Sequence, residues 1–122
     1  MKTRAYVIYG YEWFTNERGA APEICRYKVL QIDYREHEDL KMAIHSDFTI
    51  WKSLTREKIW KEVYKAFDFN EMTPDALSNL IKDFDTHSIV HWYILDENEF
   101  NEWVHWGEDH PEVEIAALSF GK

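Results

Sequence analysis

Cysteine occurs once in this chain, at Cys25. No internal disulfide can form, which excludes a disulfide-stapled secreted domain, and a lone cysteine reads as a small hydrophobe rather than a reactive thiol. Long apolar runs are also missing. No stretch approaches the roughly 18 apolar residues of a membrane span, and Met1 to Val7 carries charge where a signal peptide has its apolar core. The expectation is a cytoplasmic protein with no membrane partner. Glycine and proline are scarce, at four and three residues, and no glycines are grouped into a phosphate-cradling loop. Neither the GxSxG elbow nor a Cys/His nucleophile signature is present.

The most informative absence is regional. From Asp83 to Gly121 there are ten acidic residues and no Lys or Arg, whereas Met1 to Lys82 holds 13 of each sign. The net charge of −9 therefore belongs to the last third. Phosphate contacts are made by Lys and Arg, so this region is not expected to bind nucleic acid directly; it suits a basic protein partner.

What the chain has in quantity is aromatic surface, with six Trp, seven Tyr and seven Phe among 122 residues. Each ring can bury about 150–250 Å², so a chain of this length supports one stable core. It is read as a single domain over residues 1–122.

Arg4 to Phe14 is aromatic and β-branched and predicts a strand; Thr15 to Pro22 predicts a loop. Ile24 to Tyr34 predicts the hairpin partner, with a bulge near Val29–Leu30 where the alternation slips. Glu38 to Phe48 places Leu40, Ala43, Ile44 and Phe48 on one face of a short helix. Thr55 to Phe67 predicts another, with Ile59, Trp60, Val63, Tyr64 and Phe67 as its stripe. Thr73 and Pro74 form an N-cap and first helical position, followed by Leu77, Leu80, Ile81 and Phe84 at helical spacing. Ser88 to Leu95 predicts a strand that places Trp92 in the core. Asp96 to Trp106 is ambiguous, with Phe100, Trp103 and Val104 able to line a short helix, and Gly107 to Pro111 breaks it. Val113 to Phe120 predicts the last strand, with Val113, Ile115 and Ala117 on one face. The expected fold is α+β: a mostly antiparallel sheet of about four strands, with two or three helices packed on one face.

Six histidines raise the question of a metal. His87 and His91 share a strand face, and His105 and His110 lie near Glu108 and Asp109. No HExxH or Cys/His zinc spacing is present, so no metal or cofactor is expected. Adjacent carboxylates such as Asp96-Glu97 and Glu108-Asp109 occur by chance at this acid content, and no catalytic residue stands out. The chain is expected not to be an enzyme; the alternative is a small enzyme with a His/carboxylate site.

Binding has more support. Interface hot spots favour Trp and Tyr ringed by polar groups. The acidic third supplies both, as Asp96, Glu97, Glu99, Phe100, Glu102, Trp103, Trp106, Glu108 and Asp109. Trp103 and Trp106 stand three apart among polar neighbours, so at least one is expected at the surface. This reading gives an acidic binding or inhibitor protein, with a toxin-immunity or antitoxin protein as the alternative.

Three places carry a resemblance. They are Met1 with Arg4-Ala5 opening an apolar strand; Tyr64-Lys65-Ala66-Phe67-Asp68-Phe69-Asn70-Glu71 before the Thr73-Pro74 helix; and Ser88-Ile89 with Trp92, Ile94 and Glu97-Asn98-Glu99-Phe100. In this order the chain resembles a type II-C anti-CRISPR protein, over about a third of its length. The resemblance implies a phage-encoded inhibitor that blocks a nuclease by binding it. It also implies a strand over Val63 to Phe69, which leaves residues 65–69 open between helix and strand.

Overall fold

The computed structural model describes residues 1–13, 24–66, 70–87 and 89–121. Their order is β1 (Thr3–Trp13), β2 (Ile24–Tyr34), α1 (His37–Ala66), α2 (Pro74–His87), β3 (Ile89–Leu95), α3 (Glu97–Gly107) and β4 (Val113–Phe120). The strands form one sheet in the order β3-β1-β2-β4. β1 runs antiparallel to both β2 and β3, while β4 lies parallel to β2. This is the expected α+β fold with its mostly antiparallel four-stranded sheet. Phe14 and the predicted loop over Thr15 to Pro22 lie outside the described residues, as do positions 67–69.

Strand alternation divides the sheet into two unlike faces. Val7, Tyr9, Tyr11, Leu30 and Ile32 point to one face, where they pack with Leu40, Ala43, Ile44, Trp51, Ile59 and Val63 of α1 and Leu80 of α2. Ile8, Val29, Leu95 and Val113 point to the other, beneath Phe100 and Trp103 of α3. The helices are therefore split between the faces rather than gathered on one. The physical reason is that β1 and β2 are apolar on both sides and need cover on both.

The same fact removes the predicted bulge. The β1–β2 register is continuous, with Ile8 opposite Val29 and Val7 opposite Leu30. Val29 and Leu30 are adjacent and both fully buried because each fills a different core.

The two helices predicted over 38–48 and 55–67 are one helix, α1. No Gly or Pro interrupts residues 37–66, and Thr49 satisfies its hydroxyl by donating to the His45 carbonyl at 2.7 Å. Ile44, Trp51, Thr55, Ile59 and Val63 form a buried seam along it. Met42, Ile50, Leu54 and Tyr64 are exposed, which blurs the helical period and hides the continuity. Lys65 and Ala66 are helical, so a strand beginning at Val63 does not form. Tyr9 sits at the centre of this core, 5.2 Å from the Phe48 ring and 5.5 Å from that of Trp51. Beside it Lys28 reaches Asp47 of α1 at 3.1 Å, an ion pair largely shielded from solvent.

Thr73 caps α2, its Oγ1 accepting from Ala76 N at 3.2 Å. Of the predicted stripe, Leu80 is buried and Ile81 is exposed. β3 is an edge strand, so Trp92, expected in the core, is 47% exposed, and its neighbours Tyr93 and Ile94 are exposed too. On β4, Val113 is buried but Ile115 is exposed. Further along that strand Ala116, Leu118 and Phe120, on the opposite side, pack against the larger core.

Candidate functional site

Helix α3 resolves the ambiguous segment after β3. Asp96 accepts from Glu99 N at 2.8 Å, and Glu99 Oε1 accepts from Asp96 N at 3.1 Å. Together they make a reciprocal capping box that fixes where the helix starts. Glu97 and Glu99 in the first turn also sit favourably against the positive end of the helix dipole. At the other end Gly107 brings the last turn onto β4. A Cβ there would lie 3.1 Å from Ile115 Cδ1 and 3.2 Å from Val113 Cγ1, so the absence of a side chain permits the approach.

Two ring contacts anchor α3 to the sheet. Phe100 stacks on Tyr6 with centroids 4.3 Å apart, and Trp103 packs on Tyr27 at 5.2 Å. Tyr27 is itself held by donating its hydroxyl to Glu12. Burial, and then the Glu12 carboxylate, push that hydroxyl above the ordinary tyrosine range.

Beyond Trp103 the aromatic row continues outward. Trp106 meets Trp103 edge-to-face, centroids 5.5 Å apart at 90°. His110 stacks on Trp106 at 3.7 Å. A backbone carbonyl only accepts, so the 2.7 Å contact between His110 Nδ1 and the Trp106 oxygen places the proton on Nδ1. Trp106 is thus held by its helix and by the imidazole, yet remains 41% exposed. Glu102, Trp103 and Trp106 line a groove of about 320 Å³.

The nine residues expected to contact a partner now separate by role. Asp96 and Glu99 are engaged in the cap, and Phe100 anchors the helix. Glu97, Glu102, Glu108 and Asp109 are exposed. Trp103 is half anchor and half groove wall, and Trp106 is the exposed ring that the three-residue spacing led us to expect. Glu108 lies 3.8 Å from His105 Nδ1. On the sheet face near Tyr6, Arg4 is paired with Asp33 at 2.8 Å. That hydrogen bond holds the Asp33 carboxyl below its usual range and the Arg4 guanidinium above its own. Arg4 is thus already matched to a carboxylate beside the acidic helix.

Among the described residues no three His, Cys, Asp or Glu side chains converge as a metal site. His87 ends α2 rather than sharing the strand with His91, and its side chain lies outside the described residues; His91 lies over Gly10, stacked on Tyr93 at 5.8 Å. No helix among the described residues is long and apolar enough to cross a membrane. The exposed run Trp92, Tyr93 and Ile94 on β3 escaped the sequence reading, because residue type marks a strand without telling an edge from a centre.

Compared with known protein families, curated proteins and solved structures, the chain shows no match.

Proposed function

We propose that this protein acts by binding: α3 docks on a basic surface of a nucleic-acid-processing enzyme in the cytoplasm and blocks it by occupancy rather than turnover. The observation that carries the reading is the pairing of exposed Trp106 with an acidic helix in a stretch of 39 residues free of Lys and Arg. A nucleic-acid enzyme presents a basic cleft, and an aromatic anchor inside an acidic rim complements it. The resemblance to type II-C anti-CRISPR proteins suggests the effector nuclease as the first partner to test.

Purified protein is added to a type II-C effector nuclease with its guide and target DNA. Cleavage should fall in proportion to the inhibitor added and stop near equivalence. Undiminished cleavage at tenfold excess rejects that nuclease as the partner. Affinity capture from host cells then asks which basic protein replaces it, and recovery of a toxin would favour the immunity-protein reading.

The docking surface is tested by charge. Reversing Glu102, Glu108 and Asp109 to Lys should slow association by about 10-fold or more at low salt. Reversing Glu38, Glu57 and Glu71, which are exposed on α1 and before α2, changes net charge equally and should leave the rate nearly intact. The difference should fade as the Debye length shrinks from ~30 Å at 0.01 M salt to ~8 Å at 0.15 M. Equal slowing by both triple variants would reject α3 as the contact.

A further inference from the structure

The groove on α3 has a chemistry more specific than acidity. Its walls are two indoles set at right angles, and its polar lining residue is Glu102. A volume of about 320 Å³ lies at the small end for ligand pockets, which run about 300–1,000 Å³; it suits a single side chain better than a larger ligand. Indole is the aromatic ring that attracts cations most strongly. A carboxylate beside it adds a hydrogen-bond acceptor of the matching charge.

Among the described residues that line the groove, none is basic. The segment that forms α3 and β4 has no Lys or Arg before Lys122, and Arg4 is engaged with Asp33. The walls are also preorganised. Trp103 is braced by Tyr27, and Trp106 by the stacked His110 whose Nδ1 bonds the Trp106 carbonyl. Preorganised rings need little ordering when a ligand arrives.

We infer that the groove lined by Glu102, Trp103 and Trp106 receives an arginine side chain of the partner. A planar guanidinium can stack on an indole and still present its N–H fork to the Glu102 carboxylate. A lysine ammonium is a compact charge that cannot stack and keeps its hydration more tightly. The inference rests on the docking role proposed for α3 and names the group on the partner that enters the groove.

The test needs no partner protein. The probe is acetyl-Gly-Arg-Gly-amide, titrated into ¹⁵N-labelled protein while the six indole N–H signals are followed by NMR. The signals of Trp103 and Trp106 should shift saturably, and those of Trp51 and Trp60 should stay in place. The same peptide with citrulline, which keeps the shape but not the charge, should bind at least about tenfold more weakly, as should the lysine peptide. Trp106→Ala and Glu102→Gln, checked for an unchanged amide spectrum elsewhere, should each weaken the arginine peptide by about tenfold, the equivalent of 1.4 kcal/mol.

Unmoved Trp103 and Trp106 signals, or equal shifts from the citrulline or lysine peptide, would overturn the inference. So would full binding by Glu102→Gln and Trp106→Ala. The docking role fails on different data: a protein that binds the arginine peptide as described but engages no basic protein keeps the groove and loses the proposed function.

Discussion

The two faces of the sheet solve the same problem with different materials. Under α1, mostly aliphatic side chains interlock into a closed core in which Val7, Leu30, Ile32, Ile59 and Val63 lose all contact with water. Under α3, cover comes from ring contacts, Phe100 on Tyr6 and a separate row running from Tyr27 through Trp103 and Trp106 to His110, and no residue of α3 is fully buried. Interlocked aliphatics gain stability from complete burial and offer nothing to a partner. A stacked row stabilises less, but it ends at a ring in solvent that is already held in place. The first face makes the domain stable, and the second presents a surface.

The contrast predicts unequal costs of mutation. Ile59→Ala opens a cavity on the closed face and should cost about 3–4 kcal/mol in urea unfolding followed by circular dichroism; a loss under 1 kcal/mol would mean that this face is not the main core. Asp47→Ala leaves Lys28 charged and shielded, and should cost about 2–3 kcal/mol, less than for a fully buried pair because both side chains keep some exposure. Replacing both partners, Lys28→Met with Asp47→Leu, should restore most of that. If the double variant is as unstable as the single, the ion pair itself is stabilising rather than merely satisfied.

On the open face Phe100→Ala removes the stack on Tyr6 and should cost about 1–2 kcal/mol. Amide exchange should accelerate along α3 while α1 stays protected, because the two helices share no core. Acceleration in both would show that the faces unfold as one unit.

Alkaline titration compares the faces differently. Burial, followed by Asp47, raises the Tyr9 hydroxyl, as burial and Glu12 raise that of Tyr27. Above pH ~10, where an unfolded tyrosine ionises, the folded chain retains protons that the unfolded chain releases. The stabilising contribution is complete below that pH and is lost as pH rises through the folded values. Urea midpoints between pH 8 and 11 should fall, and Tyr9→Phe and Tyr27→Phe should each flatten the decline by a similar amount, since both hydroxyls keep their protons in the folded chain over that range. The smallest stability effect is expected at Trp106→Ala, within about 0.5 kcal/mol, although the same change should weaken partner binding by about 2 kcal/mol or more.

Several elements were legible from local chemistry alone. Thr73-Pro74 marks the start of α2, Gly107 to Pro111 marks the end of α3, and the span of β2 follows from its residue types, because caps, breakers and β-branched runs act over a few residues. The charge division and the pairing of Trp103 with Trp106 were legible for the same reason. Other features failed at longer range. The continuity of α1 was hidden because its outer face carries Met42, Ile50 and Leu54, so no clean period survives. The edge position of Trp92 was invisible because a strand's neighbours are chosen by the whole sheet.

The sequence by itself determined the composition of the candidate site: acidic, aromatic and without Lys or Arg from Asp83 to Gly121. Tertiary structure alone decided which of those rings are free. Phe100 is engaged because Tyr6, distant in sequence, needed cover, whereas the engagement of Asp96 with Glu99 is local to the helix start. Trp106 remains exposed because its ring contacts are with Trp103 and His110, which cover only part of it. Burial is a property of neighbours in space, and β1, β2 and α3 become neighbours only when the chain folds.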